Sequence, residues 1–112
     1  DPDLFRDALK AYDEAIAADP RNHEPKLRLA ELFLEKYNSP DAQSTLEEVL
    51  AVNASHPRAL LGLARAKEFD GETGEAFELV RRALQVNPNF VPARVTLARL
   101  NLDYENVDDM LR

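Results

Sequence analysis

The chain has 112 residues, enough for one domain with a modest hydrophobic core but too few for two. Hydrophobic residues make up 45% and charged residues 31%, a composition that excludes disorder, and the lack of cysteine excludes disulfides and zinc–cysteine sites. A net charge of −7 argues against nucleic acid as a partner, and no apolar run approaches the roughly 18 residues that membrane insertion requires.

Apolar residues recur at helical spacing along the whole chain. Leu4, Ala8, Tyr12 and Ala15 fall on one stripe near the start, and a stripe of the same kind returns in each later segment. Amphipathic helices are therefore predicted at about 3–18, 24–37, 40–53, 57–70, 74–87 and 91–103, with a seventh helix beginning near Val107.

Residues that favour helix ends separate these segments. Ser39 followed by Pro40 is typical of an N-cap with proline in the first turn, and Gly71 suits a helix C-terminus. Thr73 can cap the next helix, and Pro88 ends a helix because proline disfavours the helical conformation of the residue before it. The short connections predict that sequential helices are antiparallel neighbours.

The helical segments repeat with a period of 34 residues. This shift aligns six columns without a gap: Ala8, Ala42 and Ala76; Tyr12, Leu46 and Val80; Ala15, Val49 and Ala83; Leu29, Leu63 and Leu97; Ala30, Ala64 and Ala98; Pro20, Ala54 and Pro88. Alanine at a helix crossing lets two backbones approach closely, while larger residues fill the space beside it. Helix pairs built in this way are expected to stack in a solenoid.

These columns resemble the tetratricopeptide repeat (TPR), whose 34-residue unit is written W-x2-L-G-x2-Y, then A-x3-F, then P. The first helix of each unit gives Lys26-x2-Leu29-Ala30-x2-Phe33, Leu60-x2-Leu63-Ala64-x2-Lys67 and Arg94-x2-Leu97-Ala98-x2-Asn101. The second helix gives Ala8-x3-Tyr12, Ala42-x3-Leu46 and Ala76-x3-Val80. The chain departs from the pattern in having no tryptophan, in Lys67 and Asn101 at the aromatic position, and in Ala54 at the proline position.

The resemblance implies an all-α fold, a right-handed α-α superhelix of antiparallel helix pairs with about six full helices and a partial seventh. Residues 1–112 then form a single TPR-like domain. It comprises the second helix of a partial unit at 1–22, complete units at 23–56 and 57–90, and a partial unit at 91–112. Because the pattern starts and stops inside a unit, we expect a fragment of a longer protein.

The resemblance also implies a protein–protein interaction module, in which the first helix of each unit lines a concave groove that binds a peptide or protein segment. At 100° per residue, the side opposite the packed stripe carries Leu27, Arg28, Glu31, Arg58, Leu61, Arg65, Val95, Arg99 and Leu102. The predicted groove thus has an apolar row, formed by Leu27, Leu61 and Val95, beside a charged row. In the charged row, the planar guanidinium groups of Arg65 and Arg99 suit a carboxylate.

Each row has an alternative interpretation. The two arginines of the charged row can instead pair with Glu31, Glu68 or Asp103 on neighbouring helices. The apolar row can instead be packing between adjacent first helices.

A structural or assembly role through the ends of the solenoid is the second functional hypothesis. The first helix carries Phe5, Tyr12 and Ile16 but has no preceding partner helix, so this stripe is expected to stack on another copy or to exchange helices with it. The chain would then form a homo-oligomer through the ends of the solenoid.

Other functions have little support in the sequence. TPR co-chaperones resembling this fold hold a C-terminal carboxylate with lysine, asparagine and arginine, but the matching positions here are Leu27, Glu31, Gly62, Pro92 and Thr96. His23 and His56 form no helix-face pair of metal ligands and are interpreted as caps or loop residues. We therefore expect no enzyme activity, no cofactor and no metal site.

Overall fold

The computed structural model describes the backbone of residues 2–111 and the side chains of residues 2–103. The helices are α1 (Pro2–Ala18), α2 (Glu24–Glu35), α3 (Ser39–Val52), α4 (Pro57–Phe69), α5 (Thr73–Val86) and α6 (Val91–Leu111). The six predicted full helices are confirmed, and the described backbone contains no strand. Over the same range, no helix combines the length and apolar character needed to cross a bilayer.

The predicted seventh helix near Val107 is wrong, because α6 continues without a break through Leu111. The reason lies in the sequence between Leu102 and Val107, which contains neither proline nor glycine. Asn106, which can favour a left-handed turn, is only a weak stop signal, and the helix continues through it.

Two predicted caps lie one residue from their true positions. Asn38, and not Ser39, caps α3: its side chain accepts a hydrogen bond from the Asp41 amide at 3.3 Å. Ser39 is buried and donates instead to the carbonyl oxygen of Ala66 in α4, at 3.3 Å. Similarly, Thr73 is the first residue of α5 and follows the N-cap Glu72, whose carboxylate lies 3.3 Å from the Lys67 ammonium rather than capping the helix.

The ends of α4 and α5 are as predicted. Gly71 adopts a left-handed conformation, with φ of +82°, directly after the residue that ends α4. The backbone becomes extended at Asn87, the residue before Pro88. One period before Gly71, Tyr37 also has a positive φ, of 60°, although it carries a large side chain.

The alanine columns bring α2 against α3 and α4 against α5, the most extensive contacts between helices. Ala30, Ala42, Ala64 and Ala76 are all buried, and Leu46 fills the space beside them. The core therefore lies in the middle of an elongated molecule of 53 × 33 × 20 Å, whereas α1 has no fully buried residue. α2 and α4, the first helices of two successive units, also contact each other directly.

Candidate functional site

A pocket of about 260 Å³ lies between α2, α4 and the start of α6. Its apolar lining includes Leu27, Leu34, Leu61 and Phe90, and its charged lining consists of Glu31, Arg58 and Arg65. Short connections set the first helices side by side, and the absence of a side chain at Gly62 lets Leu46 of α3 pack against α4, so that both residues line the pocket. An apolar hollow with a few polar groups is the usual form of a ligand site.

The pocket brings together five of the residues predicted from the sequence: Leu27, Glu31, Arg58, Leu61 and Arg65. Four others lie outside its lining: Arg28, Val95, Arg99 and Leu102. The last three belong to α6, which contributes to the pocket only through Pro92 and the preceding Phe90. The chemistry of the site is therefore concentrated on α2 and α4.

The apolar row does not present three equivalent side chains. Leu27 and Leu61 are only 4% and 3% exposed and belong to the core, where neighbouring first helices contact each other. Val95 is 61% exposed, since no described element packs over its face of α6. Packing between first helices, the alternative interpretation, thus describes the first two residues, which form the floor of the pocket.

Arg58 joins α2 and α4 at one side of the pocket. Its guanidinium donates to the Glu24 carboxylate and lies 3.7 Å from an oxygen of Glu31. Arg28 donates to the other oxygen of Glu24, at 3.0 Å. The hydrogen bond from Arg58 is the main reason that the pKa of Glu24 falls below its ordinary value. Arg28 and Arg58 therefore already have carboxylate partners.

Arg99 is also paired, as the alternative interpretation predicted. It forms a two-pronged contact with Glu68 of α4, one bond measuring 2.8 Å, and lies 3.7 Å from Asp103. The hydrogen bonds to Glu68 raise the pKa of Arg99, so this group stays charged and occupied.

Arg65 differs from these arginines. It is exposed, lines the pocket and forms no ion pair with any side chain that the structure describes. One helical turn further on, Phe69 is 52% exposed and its ring centroid lies 5.8 Å from that of Tyr37, which is 78% exposed. Phe69 follows Arg65 on the same face of α4. Tyr37 was not among the predicted groove residues, and its one signal in the sequence is a 34-residue offset from Gly71.

The two histidines meet at the starts of α2 and α4. The ring of His23 contacts that of His56 edge to face, with centroids 5.7 Å apart. His56 caps α4 through Nδ1, which accepts from the Ala59 amide at 3.3 Å, whereas the buried Nδ1 of His23 has no hydrogen-bond partner among the described residues. Burial chiefly, and His23 next, lower the pKa of His56. Within the described residues, no group of three or more potential ligand side chains is placed to hold a metal ion.

The predicted end-stacking residues Phe5, Tyr12 and Ile16 are all half-buried on α1. Phe5 is partly covered by Lys36, whose ammonium lies 5.8 Å from the ring centroid. Stacking of this stripe on another copy stays a prediction.

Models of the tetratricopeptide repeat match residues 4–65 and 57–100, and the first match alone covers more than half of the chain. Among curated proteins, the chain is similar to cellulose synthase operon protein C of Pseudomonas fluorescens (strain SBW25), with 32% identity over 92 residues. The match takes in 82% of this chain but only 7% of that relative's length.

Solved structures show the same fold at lower identity. The first TPR domain of human RPAP3 is 21% identical with a TM-score of 0.80, covering 94% of this chain and 83% of that one. The crystal structure of MamA is 24% identical with a TM-score of 0.73, covering 93% of this chain and 61% of that one. The helix pairs, the alanine columns and both family matches lead to one conclusion: the chain belongs to the tetratricopeptide repeat family.

Proposed function

We propose that the pocket between α2, α4 and α6 binds a segment of a partner protein. Tetratricopeptide repeat domains are protein–protein interaction modules and generally not enzymes. The observation that carries the proposal is the pocket itself, because it combines a floor of Leu27 and Leu61 with the guanidinium of Arg65, which has no ion-pair partner among the described residues. The floor offers contact to an apolar side chain, and Arg65 offers a charged hydrogen bond beside it.

Two structural neighbours support a peptide as the ligand. One is the first TPR of Spaghetti (RPAP3) bound to the HSP90 peptide SRMEEVD, with a TM-score of 0.77 and 21% identity. The other is the second TPR domain of human RPAP3 in complex with the HSP70 peptide SGPTIEEVD, with a TM-score of 0.73 and 22% identity. The identities support the architecture and not the same ligand. In this chain, four of the positions where co-chaperones place clamp residues line the pocket, and they hold Leu27, Glu31, Gly62 and Pro92.

Selection from a display library of short random peptides tests this proposal. Peptides selected on this chain are then measured against Arg65→Glu and against Arg94→Glu. Arg94 is a matched control because it is exposed and lines a different, open depression with Leu97 and Asn101. We expect Arg65→Glu to weaken the selected peptides by about tenfold or more and Arg94→Glu to leave them unchanged. Equal binding to both variants, each shown by circular dichroism to be helical, would place recognition outside the pocket.

A further inference from the structure

Three side chains on α4 follow one another at intervals of one helical turn on the groove side. We name Leu61, Arg65 and Phe69 the α4 strip. Leu61 forms part of the pocket floor, Arg65 stands beside the pocket without an ion-pair partner among the described residues, and Phe69 is half exposed at the end of the helix. The strip therefore presents an apolar site, a positive charge and a second apolar site in a line.

Tyr37 enlarges the second apolar site. Its ring lies against Phe69, and both rings are largely open to solvent. The backbone at Tyr37 has a left-handed conformation, with φ of 60°, which is unfavourable for a residue that carries a large side chain. Gly71 occupies the equivalent turn one period later, so this turn does not require an aromatic side chain. Exposure and backbone strain together at one residue point to a contact surface.

The spacing of the strip matches an extended peptide. Four residues of an α-helix rise about 6 Å, which separates Leu61 from Arg65 and Arg65 from Phe69. In an extended chain, side chains on the same side are two residues apart, which corresponds to about 6.6–6.8 Å. The spacing between alternate side chains of an extended segment thus matches the spacing between successive turns of α4.

The positive charge at the centre of the α4 strip also restricts the class of ligand. Arg58 and Arg99, the arginines on either side, are neutralised by Glu24 and by Glu68. Arg65 lines the pocket and forms no ion pair with any described residue. A ligand can therefore contact its guanidinium without displacing a carboxylate of the described residues. A carboxylate between two apolar side chains would complement all three positions.

We propose that the α4 strip binds an extended segment of a partner protein in which an acidic residue lies between two bulky apolar residues, at alternate positions. The inference rests on the proposed function of the groove and adds the class of ligand. One apolar side chain enters the pocket over Leu61, the carboxylate meets Arg65, and the other apolar side chain packs on Phe69 and Tyr37. Because the pattern is symmetric, the segment fits in either chain direction.

A fluorescein-labelled peptide with the sequence Leu-Ser-Glu-Ser-Leu between glycine–serine flanks tests the spacing. Its binding is followed by fluorescence anisotropy. A peptide of equal composition, with the two serines moved outside to give Leu-Glu-Leu, should bind about tenfold more weakly, because its side chains cannot reach successive turns. Replacing the glutamate with lysine should weaken binding by a similar factor. Equal affinities for the spaced and contiguous peptides, or no saturable binding of the spaced peptide, would overturn the inference.

Two protein variants test the contacts. Arg65→Glu should reverse the preference, so that the lysine peptide binds more tightly than the glutamate peptide, while Arg94→Glu should leave it unchanged. Tyr37→Gly should weaken binding about fivefold without lowering the thermal midpoint, because glycine suits the left-handed turn. A Tyr37→Gly variant that loses stability without losing affinity would show that the ring is structural and would remove it from the proposed site.

The library selection separates this inference from the proposed function. Selected peptides that depend on Arg65 but lack the alternating pattern would overturn the ligand class and leave the groove in place. Selected peptides that do not depend on Arg65 would overturn both.

Discussion

Gly62 of α4 faces Leu46 of α3. A methyl group added there would sit 3.1 Å from both terminal carbons of the fully buried Leu46. Alanine favours a helix interior over glycine by up to about 1 kcal/mol, but displacing a packed core side chain costs about 1–3 kcal/mol. We expect Gly62→Ala to lower the free energy of unfolding by about 1 kcal/mol in urea titrations. Gly74→Ala, with no atom within 4 Å of the added carbon, should instead raise it by about 0.5 kcal/mol. A Gly62→Ala variant as stable as the natural chain would show that Leu46 can move.

His56 makes stability depend on pH. Burial, His23 and Arg58 all lower its pKa from the ordinary value of 6.5, and only Glu24 among the facing side chains acts in the opposite sense. The unfolded chain therefore binds the proton more readily than the folded chain. The contribution of His56 is fully present above pH 6.5 and is lost as the pH falls through the folded pKa, when Nδ1 can no longer accept from Ala59.

His56→Asn should keep the cap and remove this dependence, because asparagine is a strong N-cap residue that does not titrate. Urea titrations between pH 7 and about pH 5 measure the difference. The loss due to Glu24, whose pKa is lowered from 4.5 by the hydrogen bond from Arg58, falls at lower pH and does not overlap this window. Identical pH slopes for the variant and the natural chain would contradict the assignment to His56.

At the scale of the helices, residues at equivalent positions of the repeat contribute differently to stability because neighbouring helices bury them to different extents. Leu61 and Val95 are one period apart, yet the first is 3% exposed and the second 61% exposed. Leu61→Ala should lower the free energy of unfolding by about 2–4 kcal/mol through lost burial and a residual cavity. Val95→Ala should change it by less than about 0.5 kcal/mol. Urea titration of both variants checks this, and equal losses would mean that α6 is covered as α4 is.

Contacts between first helices also include charge. Glu24 and Arg58 occupy one column, 34 residues apart, and pair across α2 and α4. Opposite charges in one column are a signal that the sequence contained and that could have revealed this pair. By contrast, the sequence could not tell Arg65 from Arg99, because pairing depends on whether a carboxylate such as Glu68 lies within reach.

Across the whole molecule, stability should decrease from the centre of the stack towards α1. α4 and α5 share the most extensive contact and supply most of the core, whereas α1 buries no residue fully. In stacked repeats each unit is stabilised by its neighbours, so helices with fewer neighbours open more easily. Amide hydrogen exchange measured by NMR should show the slowest exchange in α4 and α5 and the fastest, among the helices up to residue 103, in α1. Equal protection in α1 and α5 would contradict this order.

The 34-residue period predicted the helix pairs because a period fixes which faces pack together. Ala30, Ala64, Ala42 and Ala76 are buried, whereas Ala8 and Ala98, which belong to the same two columns, are half-buried and exposed, respectively. Only part of the predicted set of groove residues lies together in the pocket. A repeat column shows which residues are equivalent, but it does not show whether the neighbouring first helix buries a given side chain. Backbone conformation was equally hidden: nothing in the local sequence shows that Tyr37 adopts a turn that suits glycine.

The measurement that tests the account most directly is an NMR titration of the ¹⁵N-labelled chain with a peptide selected from the random library. We expect the largest amide shifts to cluster on α2 and α4, around Leu27, Leu61 and Arg65, and to vanish in Arg65→Glu. Shifts confined to α1, to α5 or to the depression around Leu97 would contradict it, because the pocket between the first helices would then not be the binding site.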